Sequence, residues 1–311
     1  MDFLKQVRHW LEPEPPLAEG LAGAVDHAVE TAAPLLKVLS DYQHKLAPAV
    51  DRARDYCVRL VDAIPGPRDI GHHSFTTDSL IHCFFGSSDE ILVTLGRSED
   101  VRRHLEATPG PDDQVCYGLL GMRAHEKSVL GSAMMGDVLR QEVPQTLLYF
   151  SDHTVSSLEA DLETVRMRLR QAAFDSLLHQ YAERLASLRR QREELAGELR
   201  LRRGSEEARV VEQNLEKLVL QLTPERQLQA LAEWLATPES ALYLKQIPRT
   251  VDPMGVLCPT DAAPTNAERI VFPELVGRDR RRWTVLLVSI TRGEVREAVA
   301  REERAHRYIV I

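Results

Sequence analysis

The sequence predicts a mostly helical α+β fold, in which a long antiparallel helical hairpin, a coiled-coil insertion, interrupts a small antiparallel sheet, preceded by an N-terminal helical region. Three observations predict it. Apolar residues recur at helical spacing in the N-terminal and middle thirds of the chain. Apolar runs without that spacing lie on both sides of the middle third. Aromatic residues make up only 5% of the 311 residues, which suits helices packed through Leu, Val and Ala.

The chain divides into four predicted parts. Pro109-Gly110-Pro111 closes a helical N-terminal region. Four later prolines, of which Pro248 is the first, suggest a loop that returns the chain to the sheet. The predicted parts are the helical region 1–111, a sheet domain from 112–154 and 265–311, a helical arm at 155–246 and a proline-rich return loop at 247–264.

The arm has the most regular pattern in the sequence. Its outgoing helix is predicted from Val155 to Arg203, and Gly204-Ser205 provides a helix end followed by a helix start. The return helix repeats the spacing of three and four residues. Alternating steps of three and four are typical of a coiled-coil seam. The seam residues are Leu178, Tyr181, Leu185, Leu188, Arg192, Leu195 and Leu199, then Ala208, Val211, Leu215, Leu218 and Leu222.

Short capped helices are expected before the sheet. Thr77, Ser88 and Ser98 each precede a short helical segment and are predicted N-caps. Gly86-Ser87-Ser88-Asp89 lacks the G-x-S-x-G pattern of a nucleophile elbow, so capping is the interpretation that we favour.

The predicted strands come from both flanks of the arm, so we expect one sheet that both flanks build. A turn is predicted at Arg123–Lys127, and Thr291 is a predicted helix cap. Ser151-Asp152-His153 is expected at the corner between the sheet and the arm. Its three residues are adjacent and therefore do not suit a catalytic triad. The predicted strands are Val115–Met122, Ser128–Met135, Pro144–Phe150, Arg269–Leu275, Arg282–Ile290 and Tyr308–Ile311.

The charge balance argues against nucleic acid as the main partner. The 39 basic and 47 acidic residues give a net charge of −8, and a field of that sign repels phosphates. Two local arginine clusters run against this balance, and they are the candidate partner-binding residues. One lies at the tip of the arm and the other at a predicted turn between strands. The residues are Arg200, Arg202 and Arg203, and Arg280, Arg281 and Arg282.

Histidines and cysteines were weighed as candidates for chemistry. His72, His73 and His82 cluster in sequence beside Cys83, but adjacent side chains diverge and no fixed-spacing metal motif is present. We expect neither a metal nor a cofactor. The cysteines are scattered without C-x-x-C spacing and are interpreted as reduced structural thiols. They are Cys57, Cys83, Cys116 and Cys258.

The N-terminus bears on the cellular compartment. It has no apolar stretch of the roughly 7–15 residues of a signal peptide, and no segment has the roughly 18 apolar residues of a membrane span. A cytoplasmic protein is therefore expected. Phe3, Val7 and Trp10 share one face of a short predicted helix. Contact of this face with a membrane surface is the weaker alternative to packing on the protein's own core.

Three functions remain open from the sequence, in a fixed order of preference. The first is a non-enzymatic interaction or scaffold protein that presents the arm to a protein partner or a second copy. The second is an enzyme or a ligand- or metal-binding protein with a site near His72, His73, His82 or His125. The third is a nucleic-acid binder that uses the arginines of the arm tip.

Overall fold

The computed structural model describes residues 18–135, 138–201, 206–259, 264–277 and 281–309. These residues fold into two compact units. The helical unit combines the described chain up to Tyr56 with Phe174–Pro238, and the sheet unit combines Cys57–Ala173 with the chain from Glu239 onward. The candidate residues Phe3, Val7 and Trp10 lie outside the described residues.

Ten α-helices and six strands are present in the described residues. The helices are α1 (Glu19–Ala32), α2 (Tyr42–Asp62), α3 (Ser74–Thr77), α4 (Ser79–Phe84), α5 (Ser88–Arg97), α6 (Glu99–Ala107), α7 (Leu162–Leu201), α8 (Glu206–Gln221), α9 (Pro224–Ala236) and α10 (Arg292–Ile309). The strands are β1 (Arg68–Asp69), β2 (Val115–Met135), β3 (Val138–Glu159), β4 (Leu242–Val251), β5 (Glu268–Gly277) and β6 (Arg282–Thr291). Among these residues no helix combines the length and the apolar character needed to cross a membrane.

The short helices carry the predicted caps, with two corrections of one residue. Asp78, not Thr77, caps α4, because its carboxylate accepts the backbone N–H of Leu80 at 2.9 Å. Ser87, not Ser88, caps α5. Ser98 caps α6 as predicted. Each cap satisfies backbone donors that the first turn of a helix leaves unpaired.

Buried aromatic residues join α7 to α9 in the helical unit. The indole N–H of Trp234 donates to the carbonyl of Leu177 at 3.0 Å, and the Tyr181 hydroxyl donates to the carbonyl of Gln227 at 3.1 Å. Both polar groups are thereby satisfied in an apolar setting, where an unpaired donor costs about 1–3 kcal/mol.

The arm is shorter than its predicted range. Val155 lies in β3 and α7 begins only at Leu162, while at the other end β4 begins at Leu242. The helices α7 and α8 on either side of 202–205 confirm the two helical segments. Coiled-coil packing between them stays a prediction, because seam residues such as Leu195 and Leu199 are only half-buried.

The proline-rich return loop is also corrected. Its first five residues belong to β4, where Pro248 pairs in register with Val271 of β5. Proline lacks the N–H of a central ladder but is tolerated in an edge strand. The prolines therefore marked an edge strand as well as a loop.

One sheet is built from both flanks of the arm, as predicted. The strand order is β3-β2-β6-β5-β4, with the short β1 parallel to β6. The join between the flanks is the antiparallel pairing of β2 with β6, which runs from Val115 opposite Thr291 to Met122 opposite Thr284. The C-terminal flank therefore supplies the strand at the centre of the sheet.

The hairpin of β2 and β3 is longer than predicted. The turn expected at Arg123–Lys127 is wrong, because β2 continues through these residues to Met135. Four of the five are exposed and the fifth is half-buried, so their polarity reflects a solvated strand. The terminal strand predicted at Tyr308–Ile311 is also wrong: α10 continues through Ile309 without a helix breaker, and residues 310–311 lie outside the described residues. Thr291 does cap α10, since its Oγ1 accepts the N–H of Glu294 at 3.4 Å.

Three bulges bend β3. Its pairing with β2 shifts by one residue at three places. Each shift coincides with a non-glycine residue of positive φ, at 59° for Glu142, 55° for Asp152 and 54° for Ser157. An extra residue on one strand increases the local twist and bends that strand. The bulges therefore curl the sheet rather than leave it flat.

The curled sheet closes on itself through the segment 255–258. On one side of this segment, Leu148 N–H donates to the carbonyl of Gly255 and Leu257 N–H donates to the carbonyl of Thr146, both at 2.8 Å. On the other side, Cys258 N–H donates to the carbonyl of Thr250 in β4 at 2.8 Å. Backbone hydrogen bonds therefore run through all five long strands and back to the first.

The two faces of the sheet carry separate cores. Leu286 and Val288 of β6 face a core shared with α4, α5, α6 and α10. Val285 and Leu287 face a second core with parts of α2 and α7. The split follows from the alternation of side chains along a strand. At the start of β6, beyond the first core, the inner face is not covered by these helices.

Candidate functional site: a cup in the closed sheet

A cavity opens on the inner face of the closed sheet, and we call it the cup. Its volume is 210 Å³, which at about 30 Å³ per molecule equals roughly seven waters. Each of the five long strands supplies two residues spaced two apart, as expected for side chains on one face. The ten residues are Ala124 and Glu126, Leu148 and Phe150, Ile247 and Arg249, Phe272 and Glu274, and Arg282 and Thr284.

The floor of the cup is aromatic. Phe150 and Phe272 are buried, with ring centroids 5.5 Å apart. Phe84 of α4 supports both rings from below, edge-on to Phe150 at 5.0 Å and tilted against Phe272 at 5.9 Å. Such pairs add about 0.5–1.5 kcal/mol beyond their buried area. The floor is therefore a fixed apolar surface anchored on a helix.

A polar group without a partner lies in the wall of the cup. Thr284 is 1% exposed, and its hydroxyl makes no hydrogen bond to any residue that the structure describes. A buried hydroxyl left unpaired costs about 1–3 kcal/mol, so native structures leave few of them. The position of Thr284 among the lining residues offers that hydroxyl to whatever enters the cup.

The rim carries four charged side chains of both signs. Arg249 of β4 reaches across to Glu126 of β2, with Nη2 and Oε1 2.9 Å apart. Glu274 and Arg282 line the same cavity, and their side chains form no ion pair with another described residue. Lys245 is opposite Glu274 in the β4–β5 register but does not line the cup, and its Nζ lies 5.3 Å from the Tyr243 ring centroid.

A second groove, in the helical unit, is less suited to a ligand. It lies between α7 and α9 and has a volume of 280 Å³. Its polar side chains are largely paired along α9: Arg226 donates to Gln229 at 3.3 Å, and Gln229 donates to Glu233 at 3.0 Å. Gln227 has one unpaired oxygen, but its amide nitrogen is held by the Leu222 carbonyl at 2.6 Å.

The two predicted arginine clusters fare differently. Arg281 and Arg282 open β6 and are exposed, and Arg282 lines the cup. Arg280 lies outside the described residues. Arg200 is exposed in the last turn of α7, whereas Arg202 and Arg203 also lie outside the described residues. The cup thus includes one of the six candidate residues, Arg282.

The predicted histidine site is not assembled. His72 and His73 are exposed beside α3. The ring of His82 lies 4.8 Å from that of Phe75. Among the residues that the structure describes, no group of three or more His, Cys, Asp or Glu side chains could hold a metal ion.

Other sequence candidates serve the scaffold. Ser151 bonds to His125 at 2.9 Å, Asp152 lies 3.7 Å from Arg123, and the His153 ring bonds to the carbonyl of Phe84 at 2.7 Å. These three adjacent residues of β3 therefore have three separate partners and do not converge. Their predicted place at a sheet-to-arm corner is corrected, because β3 continues past them to Glu159.

The cysteines have the electrostatics of inert thiols. Burial, with Glu268 and Asp252 nearby, raises the pKa of the Cys83 thiol to about 11. Burial also raises the pKa of Cys116, whose sulfur lies 3.7 Å from Nε2 of His104, and burial lowers the pKa of that histidine. An activated Cys–His pair needs shifts in the opposite directions.

We expect Cys83 to react slowly with iodoacetamide in the folded protein. A pKa of about 11 in place of 9.0 leaves roughly a hundredfold less thiolate at pH 7.5, and only the thiolate attacks. The labelling rate, followed by mass spectrometry of the Cys83 peptide, should rise about tenfold per pH unit up to pH 10. The urea-unfolded chain is the control. Equal rates in the folded and unfolded chains would mean that Cys83 is an accessible, ordinary thiol.

Sequence comparison gives the cup no precedent. No family model matches this chain. Searches of the curated proteins and of the solved structures returned no significant match either. Function is therefore argued from the geometry alone.

Proposed function

We propose that this chain binds a small molecule in the cup. The observation that supports this proposal is the buried, unpartnered Thr284 hydroxyl in an aromatic-floored cavity with a charged rim. Ligand sites typically combine an apolar surface with a few polar groups that fix orientation. At 210 Å³, the cup suits a small metabolite rather than a drug-sized ligand or nucleotide cofactor, for which pockets run about 300–1,000 Å³.

The lining favours binding over chemistry. Its charged groups are two arginines and two carboxylates, and the ten lining residues include no His, Cys, Ser or Lys. A nucleophile with an adjacent base is therefore missing from the lining, as far as the chain is described. This agrees with the expectation of a non-enzymatic protein but replaces the arm with the cup as the first functional surface.

A filled cup should lose binding. We expect at least one probe from a panel of small acids, amines, amino acids and sugars to raise the Tm of the wild type. At ten times Kd the stabilisation is about 1.4 kcal/mol, or roughly 3 °C or more. In Ile247→Trp, an indole placed on the inner face of β4 should remove this shift.

The matched control is Val271→Trp. Val271 is 48% exposed and neighbours Phe272 on β5, so its side chain is on the opposite face of the strand. This variant should keep the wild-type response. The proposal is wrong if no probe stabilises the wild type, or if Ile247→Trp responds as strongly as Val271→Trp.

A second proposal is that the arm contacts a protein partner or a second copy. It is favoured by large apolar side chains exposed near the ends of its helices: Leu201 is 89%, Val210 60% and Leu220 57% exposed. Exposed apolar side chains grouped on a surface are typical of interaction sites. We also propose a cytoplasmic location for this protein, since all four cysteines are free thiols, as in a reducing compartment.

Reversing the arginines of the arm tip tests this second proposal. Arg200, Arg202 and Arg203, changed together to Glu, should reduce the recovery of an acidic partner from native-cell lysate and weaken the salt dependence of its association, because charge steers encounter. The purified variant should still melt cooperatively, with a loss on the order of 1 kcal/mol from the helix dipole. Unchanged recovery and salt dependence would exclude the tip as an electrostatic contact.

A further inference from the structure

Two opposite charges face the cup without neutralising each other. Glu274 on β5 and Arg282 on β6 line the same cavity, yet their side chains form no ion pair with each other or with another described residue. The remaining two rim charges, Arg249 and Glu126, are already paired at 2.9 Å. One positive and one negative group thus remain for a ligand.

The charge of the lining sums to zero. Two arginines and two glutamates surround the cup, so a neutral ligand keeps the balance. An anion alone would leave Glu274 uncompensated, and a cation alone would leave Arg282 uncompensated. Uncompensated charges close to a ligand cost binding energy, which is how a site rejects the wrong partner. A ligand with one charge of each sign satisfies both groups.

The strand register places a hydrogen-bond acceptor beside the carboxylate. Glu274 is directly opposite Thr284 in the pairing of β5 with β6, so both side chains are on the inner face. A carboxylate and a hydroxyl oxygen can both accept from an ammonium group, which has three N–H donors. Arg282 lies two residues from Thr284 on the same face and can hold a carboxylate with two parallel N–H donors.

We infer that the cup binds a small zwitterionic amino acid with an apolar side chain. Glu274 and Thr284 receive its ammonium group, Arg282 receives its carboxylate, and its side chain rests on Phe150 and Phe272. The cavity of 210 Å³ suits a molecule of the size of leucine and excludes nucleotides. This inference rests on the proposed ligand-binding function and adds the class of the ligand.

Calorimetry with three related probes tests the ligand class. L-Leucine carries both charges, 4-methylpentanoate lacks the amine, and isopentylamine lacks the carboxylate. We expect L-leucine to bind the wild type about tenfold or more tighter than either analogue, because each missing charge leaves a rim group unpaired.

Two substitutions assign the contacts. In Arg282→Gln, the affinity for L-leucine should fall about tenfold while that for isopentylamine does not. In Glu274→Gln, the affinity for L-leucine should fall while that for 4-methylpentanoate does not. Arg281→Gln is the matched control, because Arg281 alternates with Arg282 and is not among the lining residues. All variants are first checked for a wild-type Tm.

The outcomes separate the ligand class from the function itself. If L-leucine binds no tighter than its analogues, or if Arg282→Gln weakens all three equally, the zwitterion is wrong and the cup remains a binding site. If none of the three binds while another member of the metabolite panel stabilises the wild type and not Ile247→Trp, the class is likewise overturned. If no probe of any kind distinguishes wild type from Ile247→Trp, the proposed function fails as well.

Discussion

A fragment that ends at Ala267 is expected not to fold its sheet unit. The truncation removes β5, β6 and α10. Without β6, the strand β2 loses its partner from Val115 to Met122, and the ring of hydrogen bonds through β4 is opened. Unpaired strand edges beside an uncovered apolar face promote aggregation. We therefore expect insoluble material, or a soluble fragment without a cooperative thermal transition in circular dichroism.

The size of the effect follows from the burial of β6. Its residues Thr284 to Val288 are consecutively buried and divide between the two cores of the sheet unit. Burying one large aliphatic side chain stabilises a fold by about 1.5–3 kcal/mol, so the four aliphatic residues in this run alone contribute an amount comparable with the roughly 5–15 kcal/mol of a whole domain.

A shorter truncation provides the control for this experiment. A chain that ends at Ala305 keeps β6 and most of α10, including Glu302, which pairs with Arg97 at 2.9 Å. We expect it to be soluble and to melt cooperatively. Cooperative melting of the fragment that ends at Ala267 would contradict the shared sheet as the basis of folding.

The helices were predictable because their signals are local. Periodic apolar residues and capping side chains act within a few positions of each other, and Ser98 and Thr291 cap the helices that they were expected to cap. The errors at Thr77 and Ser88 are shifts of one residue. In each case a neighbouring side chain, Asp78 or Ser87, accepts the same kind of backbone donor.

The strands were predictable in part. Both flanks of the arm were recognised from apolar runs, but polar residues in β2 were interpreted as a turn. The reason is physical: at Arg123–Lys127 the strand has no buried face, so the apolar alternation that identifies a half-buried strand is absent. Pro248 misled in the same way, since an edge strand tolerates a residue that a central strand excludes.

The cup was not predictable from the sequence. Its ten lining residues lie on five strands, and only the closure of the sheet brings them together. Closure depends on bulges at non-glycine residues such as Asp152 and on a bridge between Leu148 and Gly255. Neither has a local sequence signature. Only Arg282 was singled out beforehand, and for a different reason, as part of an arginine cluster.

Replacing Phe84 with Ala is expected to destabilise the sheet unit by about 3–5 kcal/mol, the usual cost of removing a core phenylalanine. Phe84 is 1% exposed and is in ring contact with both Phe150 and Phe272. The cavity left by its ring lies directly beneath the floor of the cup. Urea unfolding, followed by circular dichroism, measures the loss of free energy of unfolding.

The same substitution should weaken binding, although Phe84 does not line the cup. Without its support, the rings of Phe150 and Phe272 can shift into the vacated space, and the apolar surface offered to a ligand is no longer fixed in advance. The affinity of any probe that stabilises the wild type should therefore fall in Phe84→Ala and fall less in Phe84→Leu, which fills more of the cavity.

Phe75→Ala is the matched control, because Phe75 is half-buried and its ring lies 4.8 Å from that of His82 rather than against the floor of the cup. It should lose less stability than Phe84→Ala and keep the wild-type affinity. A loss below about 1 kcal/mol in Phe84→Ala would show that the floor repacks freely, since core cavities of this size cost more unless the surrounding structure collapses into them. In that case the cup could not be a preformed site, and the ligand-binding proposal would lose its structural basis.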